Sequence, residues 1–274
     1  MSTPDCAEDH AFRSRFIHTL LRKQLESTGD AERHGSIPCR LLQFWDDASN
    51  IPADVGRCMA SWTALRSEGF ELRRFDDQSA RAFIARHYGS DEARAFERCH
   101  HPAMRCDYFR LCYIGRMGGF YVDADDVFTG NGWRDLVADN RLKLQPMCYD
   151  VLSGTMVPPE EFWSDSAARP ERIYYVNNSP LIAPAGHPVI ARALTRATRL
   201  LLGMSARRDI QATTGPGNLS ACLVAHLLED CAAGASSFCF IKDWERIATT
   251  VWDLSYRNDA RNWRLHDIAD GPTD

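Results

Sequence analysis

The stretch GRMGGFYVDADDVF, Gly115 to Phe128, carries the most structural information in this sequence. Two consecutive glycines lead into a short apolar run that ends on Asp123, Asp125 and Asp126. In an extended backbone, side chains two residues apart point to the same face, so Asp123 and Asp125 are predicted to converge on one spot. Asp126 lies off that alternation and is predicted to be a turn residue. An acidic turn at a strand end is the alternative for the whole group, because aspartate readily hydrogen-bonds its own backbone.

The first two of these aspartates are predicted to bind a metal ion. Two converging carboxylates repel each other unless a cation lies between them. Oxygen-only ligands favour a hard ion, so Asp123 and Asp125 are expected to hold Mn²⁺ or Mg²⁺ and to leave room for waters and the phosphates of a substrate. Pairs of aspartates are common on their own, so this prediction depends on the residues around them.

The segment before the glycines, MRCDYFRLCYIGRM at residues 104 to 117, has the composition of a helix. Asp107 and Arg110 are three residues apart and lie on one face of that helix. From there they are predicted to reach across the glycine turn toward the same pocket as the aspartates. The alternative is an ion pair on the helix surface, which contributes little to stability.

Strands and helices alternate ahead of this helix. The segments IPCRLLQFWDD (37–47) and FELRRFDD (70–77) are typical of strands, and CMASWTALRSEG (58–69) between them is typical of a helix closed by glycine. A further helix is predicted from Ser79 to about His87. This order predicts an α/β fold with a mostly parallel central sheet flanked by helices, in which ligands bind at the carboxyl ends of the strands.

The second half of the sequence is less regular. The segment IYYVNNSPLIAPAG (173–186) is predicted to form a strand pair with a polar turn, and HPVIARALTRATRLLLG (187–203) to form a helix with proline in its first turn. The residues from Asp243 onward are rich in tryptophan and charge without a clear period. They predict an irregular C-terminal lobe.

An amphipathic helix is predicted at the N-terminus, over AFRSRFIHTLLRKQLE at residues 11 to 26. Its basic face is expected to be solvated while the apolar face packs on the domain, and peripheral contact with the inner face of a membrane stays open as an alternative. A polar break follows this helix. The chain is therefore divided into an N-terminal helical extension, residues 1–36, and one domain, residues 37–274.

Composition excludes several classes of protein. The 274 residues carry a net charge of −5, which provides no overall basic field for binding nucleic acid. No apolar run approaches the length needed to span a bilayer, and the first residues lack the pattern of a secretory signal, so a cytoplasmic location is expected. The ten cysteines are dispersed and form no CxxC pair, so they predict neither a zinc ribbon nor a thioredoxin-like site.

Taken as a whole, RCDYFRLCYIGRMGGFYVDAD at residues 105 to 125 resembles the donor-site signature of family 32 glycosyltransferases. These enzymes carry the so-called DxD sugar-binding region. They include Och1-like mannosyltransferases and bacterial capsule or lipopolysaccharide transferases, with the large clostridial glucosylating toxins as more distant relatives. Their pattern is a helix with Asp and then Arg three residues later, followed by Gly-Gly, an aromatic residue and Asp-x-Asp. Asp107 precedes Asp123 by 16 residues, the spacing expected for the group.

The resemblance extends over roughly residues 37 to 220. The segment IPCRLLQFWDDA resembles the opening strand of the family, with Gln43 and Trp45 in register. NNSPLIAPAGHPVI and TTGPGNLS are similar to two downstream segments of the family. The sequence departs from the family pattern at Leu42, where relatives usually have histidine, and at the acidic continuation after Trp45.

The resemblance implies a GT-A type fold over residues 37–274, with a Rossmann-like sheet that holds a nucleotide sugar. It also implies a retaining transfer of the sugar, assisted by Mn²⁺ or Mg²⁺. The donor would be a UDP- or GDP-sugar, and the acceptor a glycan, a lipid-linked saccharide or a protein. The sequence does not select among these donors and acceptors.

Residue roles follow from the resemblance alone. Trp45 and Tyr121 would line the nucleotide pocket, with Trp45 against the base. Asp107, Arg110 and Asn178 would contact the donor sugar.

The metal site is also taken from the resemblance. Asp123 would contact the ribose and the metal or its waters, and Asp125 would ligate the metal directly. His266 is a further candidate metal ligand in the tail.

Two rival functions remain at this point. DADDV, residues 123 to 127, fits the Asp-x-Asp motif of haloacid-dehalogenase-like phosphohydrolases. However, that family needs a downstream lysine, and no lysine lies between Lys143 and Lys242. The second rival is a non-catalytic module that only binds a nucleotide sugar.

Overall fold

The computed structural model describes residues 3–26, 36–203, 209–229 and 237–264. The strands, in chain order, are β1 Arg40–Phe44, β2 Glu71–Phe75, β3 Gly119–Tyr121, β4 Asp126–Phe128, β5 Leu142–Asp150, β6 Thr155–Met156, β7 Arg172–Ala183, β8 Phe238–Phe240 and β9 Ala248–Thr250. The α-helices are α1 Thr3–Glu8, α2 His10–Glu26, α3 Ala53–Ser61, α4 Asp77–His87, α5 Ser90–Glu97, α6 Pro102–Met117, α7 Arg134–Val137, α8 Pro159–Phe162, α9 Pro188–Leu202, α10 Ile210–Thr213 and α11 Pro216–Glu229. Short 3₁₀ helices span Trp62–Glu68, Trp244–Arg246 and Ser255–Asn258.

The central sheet has seven strands within the described ranges, in the order β2-β1-β3-β7-β5-β6, with β8 also paired to β5. Strands β1, β2 and β3 are parallel to one another, and β8 is parallel to β5. Strand β7 runs antiparallel to β3 and β5, and β6 antiparallel to β5. The predicted α/β class, with a central sheet flanked by helices, is confirmed. Strands β4 and β9 form a separate antiparallel pair.

The two faces of the sheet bury different cores. Neighbouring residues of β3 show this, because their side chains alternate: Tyr121 packs with the helices α4, α5, α6, α9 and α11, whereas Phe120 points to the other side. There Phe120 meets Trp62 and Trp244, with ring centroids 5.8 and 6.1 Å away. This second layer, built from 3₁₀ helices and loops, covers the face that the long helices leave free.

The N-terminal helix forms where the sequence predicts it, as α2. Its buried side chains include Ile17 and Leu21, and it packs against β7, α11 and β8. Ser14 ties it to β7, because its hydroxyl donates to the Arg172 carbonyl at 3.2 Å and accepts from the Tyr174 amide at 2.9 Å. Within the described ranges, no helix combines the length and apolar character needed to cross a bilayer. The boundary between residues 36 and 37 stays a prediction.

Two local predictions were wrong. The segment predicted as a strand pair with a polar turn is one continuous strand, β7, and its Asn177 and Asn178 lie within the strand. The extended run predicted through Asp125 stops early, because β3 ends at Tyr121 and a turn at Ala124–Asp125 follows. The reason is visible in the backbone, where the Asp126 amide donates to the Asp123 carbonyl at 3.3 Å and bends the chain.

Candidate functional site

A cavity of about 910 Å³ opens at the carboxyl ends of β1 and β3. Because these strands are neighbours and parallel, the residues that follow them, Trp45 and Asp123, reach the same edge of the sheet. Strand β7 contributes Asn178 and Ser179 from the antiparallel direction, where Leu181 pairs with Tyr121. The cavity walls contain the seven predicted site residues that lie in the described ranges: Trp45, Asp107, Arg110, Tyr121, Asp123, Asp125 and Asn178. His266 lies outside the described residues.

The glycine pair brings helix α6 and strand β3 into this arrangement. Gly118 ends the helix with φ +65°, and Gly119 begins the strand with φ +121°, a backbone region that strongly favours glycine. Space is also restricted, since a Cβ on Gly119 would lie 2.7 Å from the Arg40 carbonyl oxygen, and one on Gly118 would lie 2.7 Å from the Ala185 amide nitrogen. The predicted helix end and turn are confirmed.

Asp107 and Arg110 form a buried ion pair, rather than the surface pair that the sequence left open. The Arg110 Nη2 atom lies 3.0 Å from Asp107 Oδ1, and both residues are buried. Asp107 also accepts hydrogen bonds from Asn178 Nδ2 at 2.8 Å and Thr214 Oγ1 at 3.3 Å. Burial raises the pKa of Asp107 to about 6, and the Arg110 charge opposes that rise.

Arg110 also connects helix α6 to the acidic loop, residues 122–125, which joins β3 to β4. Its Nη2 atom donates to Asp123 Oδ1 at 3.0 Å, and Nη1 donates to the Asn178 carbonyl at 2.8 Å. The guanidinium carbon lies 4.0 Å from the centroid of the Tyr121 ring, close enough for a cation–π contact. Tyr121 in turn donates its hydroxyl to Asp123 Oδ1 at 2.6 Å. One oxygen of Asp123 is therefore held by two buried groups.

Asp125 is held by the C-terminal segment, residues 251–264. Its Oδ2 atom accepts from the Tyr256 hydroxyl at 2.9 Å and from Arg257 Nη2 at 2.5 Å. The Asp125 carbonyl accepts from the Val251 amide at 2.9 Å. Burial, followed by the charge of Asp123, raises the pKa of Asp125 to about 6, while Arg257 opposes the rise.

Asp126 is not the turn residue that the sequence predicted. It is the first residue of β4, pairs with Thr250 of β9 and is only 3% exposed. Thr250 Oγ1 donates to its Oδ1 at 2.6 Å. Burial, with the charges of Asp125 and Asp123, raises the pKa of Asp126 well above the usual range. Its carboxyl is therefore bonded to the two-stranded sheet rather than free in a turn.

The donor atoms of Asp123 and Asp125 fit a hard cation. The residues of the described ranges bond Oδ1 of Asp123 and Oδ2 of Asp125, and they leave Oδ2 of Asp123 and Oδ1 of Asp125 without a hydrogen bond. Two such carboxylate oxygens suit Mg²⁺ or Mn²⁺, which keep several positions for waters and phosphates. No group of three or more His, Cys, Asp or Glu side chains forms a metal cluster in the part of the chain that the structure describes.

Trp45 also lines the cavity and is covered by the same C-terminal segment, whose Tyr256 contacts both Trp45 and Asp125. The Arg261 guanidinium carbon lies 5.3 Å from a Trp45 ring centroid, and the Tyr256 ring meets the indole edge-on at 5.4 Å. The Trp45 Nε1 atom donates to the Asn50 carbonyl at 3.3 Å, which fixes the ring. Only 8% of the residue is exposed.

The structure distinguishes the two neighbouring asparagines. Asn178 donates to Asp107, as described, and belongs to the buried network. Asn177 donates to Gln145 Oε1 at 3.2 Å and to the Ser179 carbonyl. Both line the cavity, but only Asn178 contacts a predicted donor-site carboxylate. The roles assigned to these residues stay predictions.

Two walls of the cavity were missed by the sequence analysis. One wall is the solvent-facing side of β5, β6 and β7, with Gln145, Met147, Tyr149, Met156, Tyr175 and Asn177. The other is the C-terminal segment, with Trp252, Tyr256, Arg257, Arg261, Trp263 and Arg264. Its tryptophan and arginine content was the available signal, because Arg–aromatic contacts such as Arg257 over Trp252 hold this wall together.

Comparisons with known proteins find a likeness of the backbone among solved structures. No protein-family profile matches the sequence, and no curated protein matches it. Among solved structures, the chain is similar to one described as PaToxG Glycosyltransferase, at 13% sequence identity and a TM-score of 0.47, covering 84% of this chain and 78% of that one. At this identity and TM-score, the likeness says nothing about donor, acceptor or metal for this chain.

Proposed function

We propose that this chain is a metal-dependent, retaining glycosyltransferase of the GT-A type that moves a sugar from a UDP- or GDP-sugar to a glycan, a lipid-linked saccharide or a protein. The observation that supports it best is the convergence of Asp107, Arg110, Asp123 and Asp125 on one cavity at the carboxyl edge of the sheet. These residues come from a helix and from the loop after β3, and the motif resembling family 32 contains all four.

The donor would lie along the cavity from Trp45 to Asp107. Trp45, at the end of β1, offers an aromatic surface for the base, and Asp123, with one oxygen uncommitted, lies where ribose and metal would meet. Asp107, Arg110 and Asn178 would bind the sugar. Tyr121 is fully buried and acts through its hydrogen bond to Asp123.

Asp123 Oδ2 and Asp125 Oδ1 would hold Mn²⁺ or Mg²⁺, with His266 as a further candidate ligand. When bound, the cation would stabilise the negative charge that grows on the leaving diphosphate. The chain's own contribution is positioning. Arg110 holds Asp107 and Asp123 in fixed orientation through contacts of 3.0 Å to each.

The hydrogen bonds of Asp107 favour a positioning role over attack on the sugar. Its Oδ1 accepts from Asn178 and contacts Arg110, and its Oδ2 accepts from Thr214. A carboxylate with both oxygens engaged is a poor nucleophile. A same-face transfer, in which the leaving phosphate accepts the proton of the acceptor, needs no covalent intermediate on this residue.

A haloacid-dehalogenase-like phosphohydrolase is the weaker proposal. In that reaction the first aspartate of the motif would be the nucleophile and a lysine would assist. The described walls of the cavity contain no lysine. A non-catalytic module that binds nucleotide sugars stays as the second alternative.

A thermal-shift screen tests the proposed function. UDP- and GDP-sugars, each with and without Mn²⁺, would be added at about 100 times Kd, where binding contributes ~2.7 kcal/mol and raises Tm by roughly 5 °C. The expected result is a shift for one nucleotide class that is larger with Mn²⁺. Shifts without metal and without turnover would support the binding module, and hydrolysis of p-nitrophenyl phosphate would support the phosphohydrolase.

A further inference from the structure

Arg257 lines the cavity and has no role in the proposed function. It lies in the C-terminal 3₁₀ helix Ser255–Asn258 and contacts the metal-site aspartate Asp125. Ser255 anchors that helix, since its amide donates to Asp54 Oδ2 at 2.6 Å and its hydroxyl to Asp54 Oδ1 at 3.0 Å. Asn262 Nδ2 also donates to the Arg257 carbonyl at 2.7 Å. The backbone of Arg257 is therefore held from both sides.

The Arg257 side chain is placed on Asp125 at short range. The ion pair measures 2.5 Å between Arg257 Nη2 and Asp125 Oδ2, and the two side chains are 16% and 13% exposed. Aromatic rings pack around the guanidinium, with centroids 4.5 Å away in Trp252 and 5.2 Å away in Tyr256. These rings pack against the guanidinium where it meets Asp125.

Arg257 has donor capacity that nothing in the described residues uses. Its Nε atom is buried and has no hydrogen-bond partner there. A buried donor without a partner costs roughly 1 to 3 kcal/mol, so a movement of the side chain that brings Nε to an acceptor removes that cost. Guanidinium groups pair with phosphate through two parallel N–H donors, so an acidic oxygen of the ligand is the acceptor that this geometry suits.

We propose that Arg257 on Oδ2 is the resident counter-ion of Asp125, that a divalent cation bound at Oδ1 takes over this neutralising role and repels the guanidinium, and that the guanidinium then moves to the diphosphate of the donor. This inference rests on the proposed function. One positive charge on Asp125 is exchanged for another, so the carboxylate is never left unpaired in a partly buried site. The cation and Arg257 compete for Asp125 in the absence of donor, and they cooperate once a diphosphate is present.

The exchange has a measurable consequence for metal affinity. Neutralising Arg257 removes the competitor, so Mn²⁺ binds more tightly to the donor-free protein. The expected gain is about tenfold, because a guanidinium on the same carboxylate repels the cation. The same substitution removes a diphosphate contact, so UDP or GDP binds about tenfold more weakly at saturating Mn²⁺.

The test is a titration of Mn²⁺ followed by electron paramagnetic resonance, without nucleotide, on the whole chain. The variants are Arg257→Gln, Arg257→Lys, Asp125→Asn and, as a control of equal charge change, Arg246→Gln, which is exposed and outside the cavity. Arg257→Gln is expected to bind Mn²⁺ about tenfold more tightly, Arg257→Lys about threefold, and Arg246→Gln like the unaltered protein. Calorimetry with UDP and GDP at saturating Mn²⁺ completes the set.

The outcomes separate this proposal from the proposed function. If Asp125→Asn abolishes Mn²⁺ binding while both Arg257 variants bind it like the unaltered protein, the Arg257 proposal is wrong and the metal site stands. If the unaltered protein and both Arg257 variants bind no Mn²⁺, both proposals fall. If circular dichroism shows that Arg257→Gln does not fold, the Mn²⁺ affinity of Arg257→Lys tests the proposal instead. Lysine keeps the positive charge but lacks the paired N–H donors of the guanidinium, so its contact with Asp125 is weaker and Mn²⁺ is expected to bind about threefold more tightly.

Discussion

The guanidinium of Arg110 contacts the carboxylates of both Asp107 and Asp123, each at 3.0 Å, although Asp123 lies beyond the glycine turn on a different element. The side chain of Arg110 is 5% exposed. One buried cation therefore sets the distance between helix α6 and the acidic loop. The fold and the proposed site depend on the same residue.

Substitution of Arg110 by alanine tests this dependence. The change leaves Asp107 buried without its cation and is expected to lower the free energy of unfolding by ~3–5 kcal/mol, as for other broken buried ion pairs. The matched control is Arg81→Ala, which removes an exposed pair with Glu97 and is expected to cost about 0–1 kcal/mol. Denaturation by urea measures both. Equal losses in the two variants would contradict a structural role for the Arg110 pairs.

The raised pKa of Asp107 predicts that the stability of the fold depends on pH. Its pKa in the folded chain is raised to about 6 from the ordinary 3.8, so between those values the folded state binds more protons than the unfolded state. The contribution of Asp107 to stability is therefore full below about pH 3.8 and is lost as the pH rises through 6. The charged groups facing it are Arg110 and Asp123, and Asn178 and Thr214 are its neutral partners.

The measurement is the free energy of unfolding from pH 4.5 to 7.5 for the unaltered chain and for Asp107→Asn. The variant cannot ionise at this position, so its stability is expected to fall less as the pH rises. Other carboxyls with raised pKa values, such as Asp125, are present in both proteins. Their contributions therefore cancel when the stability of the variant is subtracted from that of the unaltered chain. Identical pH profiles would show that Asp107 has an ordinary pKa in the folded chain.

The indole ring of Trp45 is expected to contribute to the affinity for nucleotides by stacking on the base. Stacking of a base on an aromatic ring is worth ~1–3 kcal/mol, so Trp45→Ala is expected to weaken binding of the nucleoside diphosphate by roughly 5- to 150-fold. The Arg261 guanidinium lies over this ring. It would have to move away, or pack on one face of the ring, when the base binds. The control is Trp133→Phe, in the core on the other face of the sheet, with unchanged affinity expected. Calorimetric titration with UDP and GDP makes the comparison, and a Trp45→Ala affinity equal to that of the control would remove Trp45 from the site.

Adding a single methyl group at Gly119 is expected to lower the stability of the fold by a large amount. Gly119→Ala places a Cβ 2.7 Å from the Arg40 carbonyl oxygen and also strains the backbone at φ +121°. Gly69→Ala is the matched control, because φ is +87° there but nothing lies within 4 Å of the added atom. The backbone strain, present in both variants, costs ~1–2 kcal/mol. Gly119→Ala is expected to cost ~1–3 kcal/mol more than Gly69→Ala, because only its added Cβ is overpacked. Thermal unfolding of both variants checks this, and equal Tm values would rule out the close approach of β1 and β3.

The sequence was informative where local rules decide the structure. The end of α6 at Gly118 was predictable because a glycine pair follows a helical segment, and the α/β class was predictable from the alternation of strands and helices. The arrangement of Asp123 and Asp125 was not predictable, because a turn replaces the extended run after Tyr121. Both aspartates still line one cavity, although the alternation argument for their convergence does not apply.

The long-range contacts of the site were out of reach of sequence reasoning. Arg257 contacts a carboxylate 132 residues earlier in the chain, and no period or motif marks that contact. The same is true of Asp126, whose burial depends on its pairing with Thr250 of β9. Strand β7 was predicted to break at Asn177 because polar residues suggest a turn. In the structure that asparagine faces the cavity and bonds Gln145 of β5 instead.

The most direct test of the proposed enzyme is the Mn²⁺-dependent release of nucleoside diphosphate from the UDP- or GDP-sugar that binds, compared between Asp125→Asn and Asp126→Asn. Asp126 is 3% exposed and its Oδ1 accepts from Thr250. Asparagine can keep that hydrogen bond, so Asp126→Asn is expected to stay within about threefold of the unaltered rate. Asp125→Asn loses a charged metal ligand and is expected to slow release by ~100-fold or more. Full Mn²⁺-dependent release by Asp125→Asn, or release that needs no divalent cation, would contradict the metal-dependent transferase.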